Sequence, residues 1–272
     1  PASVGSGRLP CGNHDSEACE IMKKITTLLV GIVASLSLQA LADSQVTVFY
    51  PGQSQTAVVS HAENLAQLVS SPALQGKTWW PGTVIGEKLA TAVALRQQQE
   101  VVARLQVWRD NLLSDNDLAE AAVVENVRQQ IASLKVTGRQ LVNLDPDWVR
   151  TRPQANRRLA GEYSVYTVAK PTSVRLAGAV AGAGTTPWVA GRPVADYLES
   201  RAHQSGAERN VALVISPAGE VTEVPVAYWN RRHVELAAGS TIFIGFSSWA
   251  LPSDLADLNQ QIVSVLTHRI PD

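Results

Sequence analysis

The chain has 272 residues, with 23 Lys+Arg against 24 Asp+Glu for a net charge of -1 and a hydrophobic fraction of 45%. That length and hydrophobicity can bury a substantial core, which excludes an intrinsically disordered or acidic-tail protein. The near-zero charge lacks the basic footprint of a phosphate-backbone binder, so nucleic acid is not an expected partner.

The first Met is Met22, followed by Lys23-Lys24, an apolar run from Ile25 to Leu38, and Ala40-Leu41-Ala42. A basic start, a short apolar stretch and a small-x-small site have the form of a secretory signal peptide over 22–42, cleaved after Ala42. The apolar run is shorter than the roughly 20 residues a membrane span needs. Residues 1–21 then read as an upstream, non-native or mis-assigned segment. Both cysteines, Cys11 and Cys19, fall in it and drop out of a mature chain of 43–272. The expected location is the periplasm of a Gram-negative bacterium, where cysteine-free secreted domains rely on core burial alone.

Within 43–272, Val46–Tyr50 and Thr56–Val59 have β-strand character around the turn at Pro51-Gly52. Glu63–Val69 has helical spacing, closed by Pro72 and Gly76. From Glu87 to Leu134 nearly every residue favours helix. Leu95, Val102, Leu105, Trp108 and Leu112 make one apolar stripe, and Val124, Val127, Ile131 and Leu134 a second. Ser114–Asp117 is a polar turn with capping residues between them, so the spacing predicts an antiparallel helical hairpin at about 86–136. Strand texture resumes at Arg139–Val142 and again, after the Asp145–Asp147 turn, at Trp148-Val149. Tyr163–Val168 is a further strand, and Lys170-Pro171 reads as a domain boundary.

The second unit repeats the plan. Ser173–Leu176 is a strand, Gly178–Gly184 a Gly/Ala-rich loop, and Pro193–Leu198 a short helix. Val211–Ile215, Val221–Val226 and Thr241–Ile244 are strands, with a turn at Pro217–Gly219. Pro252-Ser253 opens a terminal helix with Leu255, Leu258, Ile262 and Leu266 on one face. The shared order of strand, turn, strand, short helix and more strands suggests an internal duplication. A ββα unit packing its helix on a mixed sheet has β-grasp (ubiquitin-like) character, giving an α+β chain. The expected boundaries are 43–170 for the first domain, with the hairpin inserted in it, 171–250 for the second, and 251–272 for the amphipathic helix.

Catalytic signatures are sparse. The region 43–272 holds no Cys, no G-x-S-x-G and no H-E-x-x-H, and His61, His203, His233 and His268 have no metal-ligand spacing. No metal or cofactor is indicated. Asp145, Asp147 and Asp196 are the carboxylates for a glycosidase-type pair, although turn and capping roles account for each. Aromatic faces stack on sugar rings, and all 7 Trp lie in this region. Trp79-Trp80, read as adjacent strand positions, would put one ring in the core and one outside. Trp108 and Trp229 read equally as packing residues. Gly138 suits the position just past the second hairpin helix. Arg139 then projects where hairpin and sheet meet, either as a clamp on carboxylates or carbonyls, or as a site for an acidic sugar or phosphate.

Trp79-Trp80-Pro81-Gly82, Thr137-Gly138-Arg139, Leu144–Asp147, Tyr163–Val168, Gly191-Arg192 with Asp196–Leu198, Pro225–Ala227 with Trp229-Asn230, His233–Glu235 and Ile262–Leu266 together resemble the GfcC family of periplasmic capsule-biosynthesis proteins. The matches run in order through nearly all of 43–272. The resemblance implies tandem β-grasp domains with a helical hairpin in the first and a C-terminal helix. It implies a non-enzymatic accessory role in assembly or export of group 4-type capsule or another exopolysaccharide. The implied partners are the polysaccharide, an outer-membrane exporter or other assembly proteins. The domain plan is similar to part of the exporter Wza, but the terminal helix here is too short to carry a pore role over. Arg139, Trp79, Trp80, Asp145, Arg192, Trp229 and Asn230 are the candidate ligand- or partner-binding residues, Arg139 first among them.

Overall fold

A computed structural model describes residues 44–202 and 204–271. The leader read at 22–42, the segment 1–21 with both cysteines, and His203 lie outside the described residues. The β-branched runs form two five-stranded mixed sheets. The first holds β1 (Ser44–Phe49), β2 (Thr56–Ser60), β3 (Val84–Glu87), β4 (Gly138–Arg139) and β5 (Gly161–Tyr166) in the order β2-β1-β5-β3-β4. The second holds β6 (Ser173–Gly178), β7 (Gly184–Pro187), β8 (Val211–Ile215), β9 (Val221–Pro225) and β10 (Thr241–Ile244) in the order β7-β6-β10-β8-β9. The plan is the same in both. The opening strand pairs antiparallel with its hairpin partner and parallel with the last strand, and the last strand pairs antiparallel with the third.

Alternation along β1 sends Val46 and Val48 inward, fully buried, and Gln45 and Phe49 outward. They meet Ile85, Val165, Leu65, Leu68 and Val69 of α1 (Leu65–Val69), and Val149 of α4 (Pro146–Thr151). The strand expected at Trp148-Val149 is therefore helix. Asp145 Oδ1 accepts from the N–H groups of Asp147 and Trp148, and Pro146 supplies a helix-ready φ at the first position, which together override local β propensity. The strand expected over 139–142 shrinks to Gly138-Arg139. Its partners there are Gly86 and Glu87 of β3; beyond Arg139 the Gln140 N–H still donates to Ile85 O at 2.8 Å, but the Val142 N–H turns back to Gln140 O and the ladder stops.

α2 (Lys88–Ser114) and α3 (Leu118–Ala132) lie between β3 and β4 in the chain. Asp117 caps α3 through its Oδ1, which accepts from Glu120 N at 3.1 Å. The buried stripe of α2 is Ala94, Gln98, Val101, Leu105 and Trp108, whereas Leu95 is 43% exposed. The sequence pattern missed Gln98 because it is polar. Its Nε2 donates to the carbonyls of Ile131 and Leu134, both at 2.8 Å, which satisfies a buried amide between the helices.

The apolar faces of α2 and α3 are continuous with the core of the second sheet, together with α6 (Leu258–Thr267). Trp108 meets Phe246 edge-on, with ring centroids 4.7 Å apart. Gln130 of α3 donates to Gly178 O and accepts from Gly178 N. Arg104 of α2 reaches Asp257, Gln261 and the Asp254 carbonyl. On α6, Leu258, Ile262 and Leu266 are buried on one face, as is Leu255 just before it. Among the described residues no helix is long and apolar enough to cross a membrane.

Candidate functional site

Arg139 ends β4 at the far edge of the first sheet. Gly138 sits before it for a steric reason. A β-carbon there would overlap the backbone of Ala90 and Thr91 at the start of α2. The Gly138 N–H donates to Thr91 Oγ1 at 2.9 Å, and Arg139 pairs with Gly86 across β3. Gly138 therefore does not end α3, which stops at Ala132 with Ser133 as its cap. It permits β4 to pass against α2, and that passage aims Arg139 away from its own sheet toward the second.

There the guanidinium has two carbonyl acceptors. Nη2 donates to Pro217 O at 2.5 Å, in the turn between β8 and β9, and Nη1 to Thr267 O at 3.4 Å, at the end of α6. A cation is favoured against the carbonyls at a helix C-terminus. Gly219, at φ +92°, leaves room for it, since a β-carbon would come within 3.0 Å of Arg139 Cζ. Burial, then the nearby Arg269 charge, lowers the Arg139 pKa to about 10, so it stays protonated at neutral pH.

Around Arg139 is a cleft of about 140 Å³ where the two sheets and the end of α6 meet. Its floor is a row set by strand register: Thr185 of β7, Arg175 of β6, Thr241 of β10 and Ile215 of β8 lie side by side. Ser173 lies two positions before Arg175 on the same face. Arg269, just past α6, and Trp79 complete the walls. The cleft thus presents three guanidinium groups, several hydroxyls and an indole. Among the described residues that line it there is no Asp or Glu.

Of the residues singled out in the sequence, the cleft brings together Arg139 and Trp79. Trp79 and Trp80 do not alternate across a strand. Trp80-Pro81-Gly82 is a 3-10 turn, both rings are half-buried, and Trp80 packs on the first sheet's core while Trp79 faces the cleft. Asp145 is committed to capping α4 in the first lobe. Arg192 is local to the second lobe, where it donates to Asp196 O at 2.7 Å and lies 4.5 Å from the Tyr197 ring centroid. Trp229 is 76% exposed, so it is not a core residue, and Asn230 Nδ2 donates to Asn210 O while its buried Oδ1 has no partner. Asp196 is paired with Arg231, distant in the fold's plan from Asp145 and Asp147 on α4. Arg175 and Arg269 were not singled out. Period-two alternation does turn Arg175 away from Val174 and Leu176, but only the docked first lobe shows what it faces.

Comparison with known proteins gives a consistent picture. Residues 42–170 match the family model described as capsule biosynthesis GfcC, N-terminal, and residues 182–271 match that for the GfcC C-terminal region. The chain is also 43% identical over 253 residues to an uncharacterized Escherichia coli K12 protein, YjbG, covering 92% of this chain and 99% of that protein.

Proposed function

Because the chain belongs to the GfcC capsule-biosynthesis family, we propose that it works in the periplasm as an accessory protein for assembly or export of capsular or exopolysaccharide, binding glycan or exporter components rather than catalysing a reaction. The family assignment supplies the capsule role. The signal-peptide pattern at 22–42 supports export across the inner membrane.

The mode of action rests chiefly on one observation, the cleft at Arg139. It combines fixed cationic donors, hydroxyls and an indole wall, the groups that recognise a sugar through its oxygens and its apolar ring face. The two sheets, each in the order hairpin partner, first, last, third, fourth, support a reading as tandem β-grasp domains. On that reading α2 and α3 are a hairpin inserted between the third and fourth strands of the first.

Deletion of the gene, with complementation by the full chain, tests the role. Surface polysaccharide is expected to fall in amount or length and to recover on complementation. Unchanged polysaccharide in the deletion strain overturns it.

A further inference from the structure

We infer that a second cleft, at the end of the second sheet far from Arg139, holds one sugar unit of the polysaccharide through its hydroxyls and a ring face, with no acidic group needed. This adds a site to the glycan-binding reading above and rests on that reading. β6 and β10 run parallel. The Arg139 cleft takes Ser173, Arg175 and Thr241 from their starting halves. The second cleft takes Ala179, just past β6, and Ile244, at the end of β10. The two are separate sites about one strand length apart.

The Gly/Ala-rich loop after β6 shapes this cleft, whose volume is about 280 Å³. The buried Ala179, Ala207 and Ile244 give it an apolar base. Gly182, at φ +66°, makes room for a guanidinium, since a β-carbon there would lie 2.5 Å from Arg201 Nη1. Among the described residues Arg201 makes one side-chain hydrogen bond, from Nη1 to Gly182 O at 3.4 Å, and its buried Nε makes none. Buried donors are ordinarily satisfied. One long bond leaves most of a five-donor fork for ligand oxygens in the cleft that Arg201 lines.

The other charged groups of the lining are of both signs and are held in place. Arg231 is paired with Asp196 and lies 3.5 Å from Glu199 Oε1. Glu208 Oε1 accepts from the N–H groups of Arg209 and Asn210. A sugar hydroxyl both donates and accepts, so carboxylates and guanidiniums side by side suit it, whereas a charged ligand of either sign would meet a like charge. Tyr228 stands at the rim, 99% exposed, with Trp229 next to it in the chain. A phenol ring that packs on nothing in its own chain is free to take the apolar face of a sugar.

The test is a heteronuclear NMR titration of the purified chain. The probes are oligosaccharides released from the producing strain's own exopolysaccharide, in native form and after chemical reduction of their carboxyl groups. Both forms are expected to shift amides in 204–209 and 226–231 to saturation, with equal affinity and little change in added salt, which weakens ion pairing. Tyr228→Ala and Arg201→Gln should each weaken that binding roughly tenfold. Both should melt within a few degrees of the parent, because Tyr228 is exposed and Arg201 holds one long hydrogen bond. Should one of them melt early, the other is read alone.

Amides in these two segments that do not move overturn the assignment. Full binding retained by the folded variants does the same, as does binding lost on carboxyl reduction or in salt. Shifts confined to 138–140 and 173–176 remove this site and leave glycan binding at Arg139 standing. No shift anywhere removes the glycan reading as well, and the deletion strain then decides the capsule role by itself.

Discussion

In the first lobe, α1 and α4, helices of 5 and 6 residues, close the core over β1, β3 and β5. In the second lobe the same strand order is covered by α5 (Val194–Leu198), by α6, and by α2 and α3, which the chain delivers from between two strands of the first sheet. Strand order is shared, and helical cover is not. Helices of 15 and 27 residues carry apolar stripes that must be buried somewhere, and burial follows available apolar surface rather than order along the chain. The second lobe therefore depends on residues encoded in the first. The cleft at Arg139 lies beside this junction, because β4 is the strand that returns from α3 to the first sheet.

Four substitutions sharpen or break this contrast. The largest effect is expected from the pair Trp108→Ala and Leu68→Ala. Trp108 is 2% exposed and packs edge-on against Phe246, and its truncation should cost about 3–5 kcal/mol in denaturant unfolding. Hydrogen exchange should then accelerate in α2, α3, α6 and β10. Leu68, fully buried in the first lobe, should cost about 2–5 kcal/mol, with its losses centred on α1, β1 and β5. Identical exchange patterns for the two variants would mean that both lobes open as one unit.

A middle effect is expected from Gln130→Ala. It removes both hydrogen bonds to the buried backbone of Gly178, the point at which α3 grips the end of β6. Loss of about 1–2 kcal/mol is expected, chiefly from the N–H left without its acceptor. A variant as stable as the parent would show that apolar packing alone docks α3.

The smallest effect tests the same docking through pH. Glu120, 6% exposed near the start of α3, lies beside the Gly206 turn of the second lobe. Burial, then the Asp117 charge, raises its pKa. A raised carboxylate pKa means that ionisation costs stability at pH above the folded value, and that the cost disappears once acid has protonated the group. Glu120→Gln should therefore raise the melting temperature at pH 7, by less as the pH falls through the raised folded pKa, and by nothing once Glu120 is protonated in the folded and the unfolded chain alike. A constant difference across pH would assign the effect to shape rather than charge.

The surface loops divide along similar lines. Asp145 was legible as a capping residue because capping needs only its own neighbours, Asp147 and Trp148. Trp229 was ambiguous, since an isolated aromatic carries no local mark of burial, and it lies 76% exposed just past β9. Gln98 was overlooked for the opposite reason. A polar residue on the apolar stripe breaks the pattern until its two carbonyl partners on the neighbouring chain segment are known.

Local propensity and periodicity alone determined most of the strands, both long helices, the capping turns and the α+β class, because each depends on residues within a few positions of one another, whereas β3, β7 and the helix at Pro146–Thr151 were not read from their own residues. The family likeness was also legible, since motifs such as Thr137-Gly138-Arg139 persist as short strings. Tertiary structure decided which sheet receives α2 and α3, why Gly138 must be glycine, and that Arg139 faces Arg175 and Arg269. Those outcomes depend on apolar area, backbone clearance and charge contributed by segments more than a hundred residues apart in places, and no pattern confined to one stretch of chain contains that information.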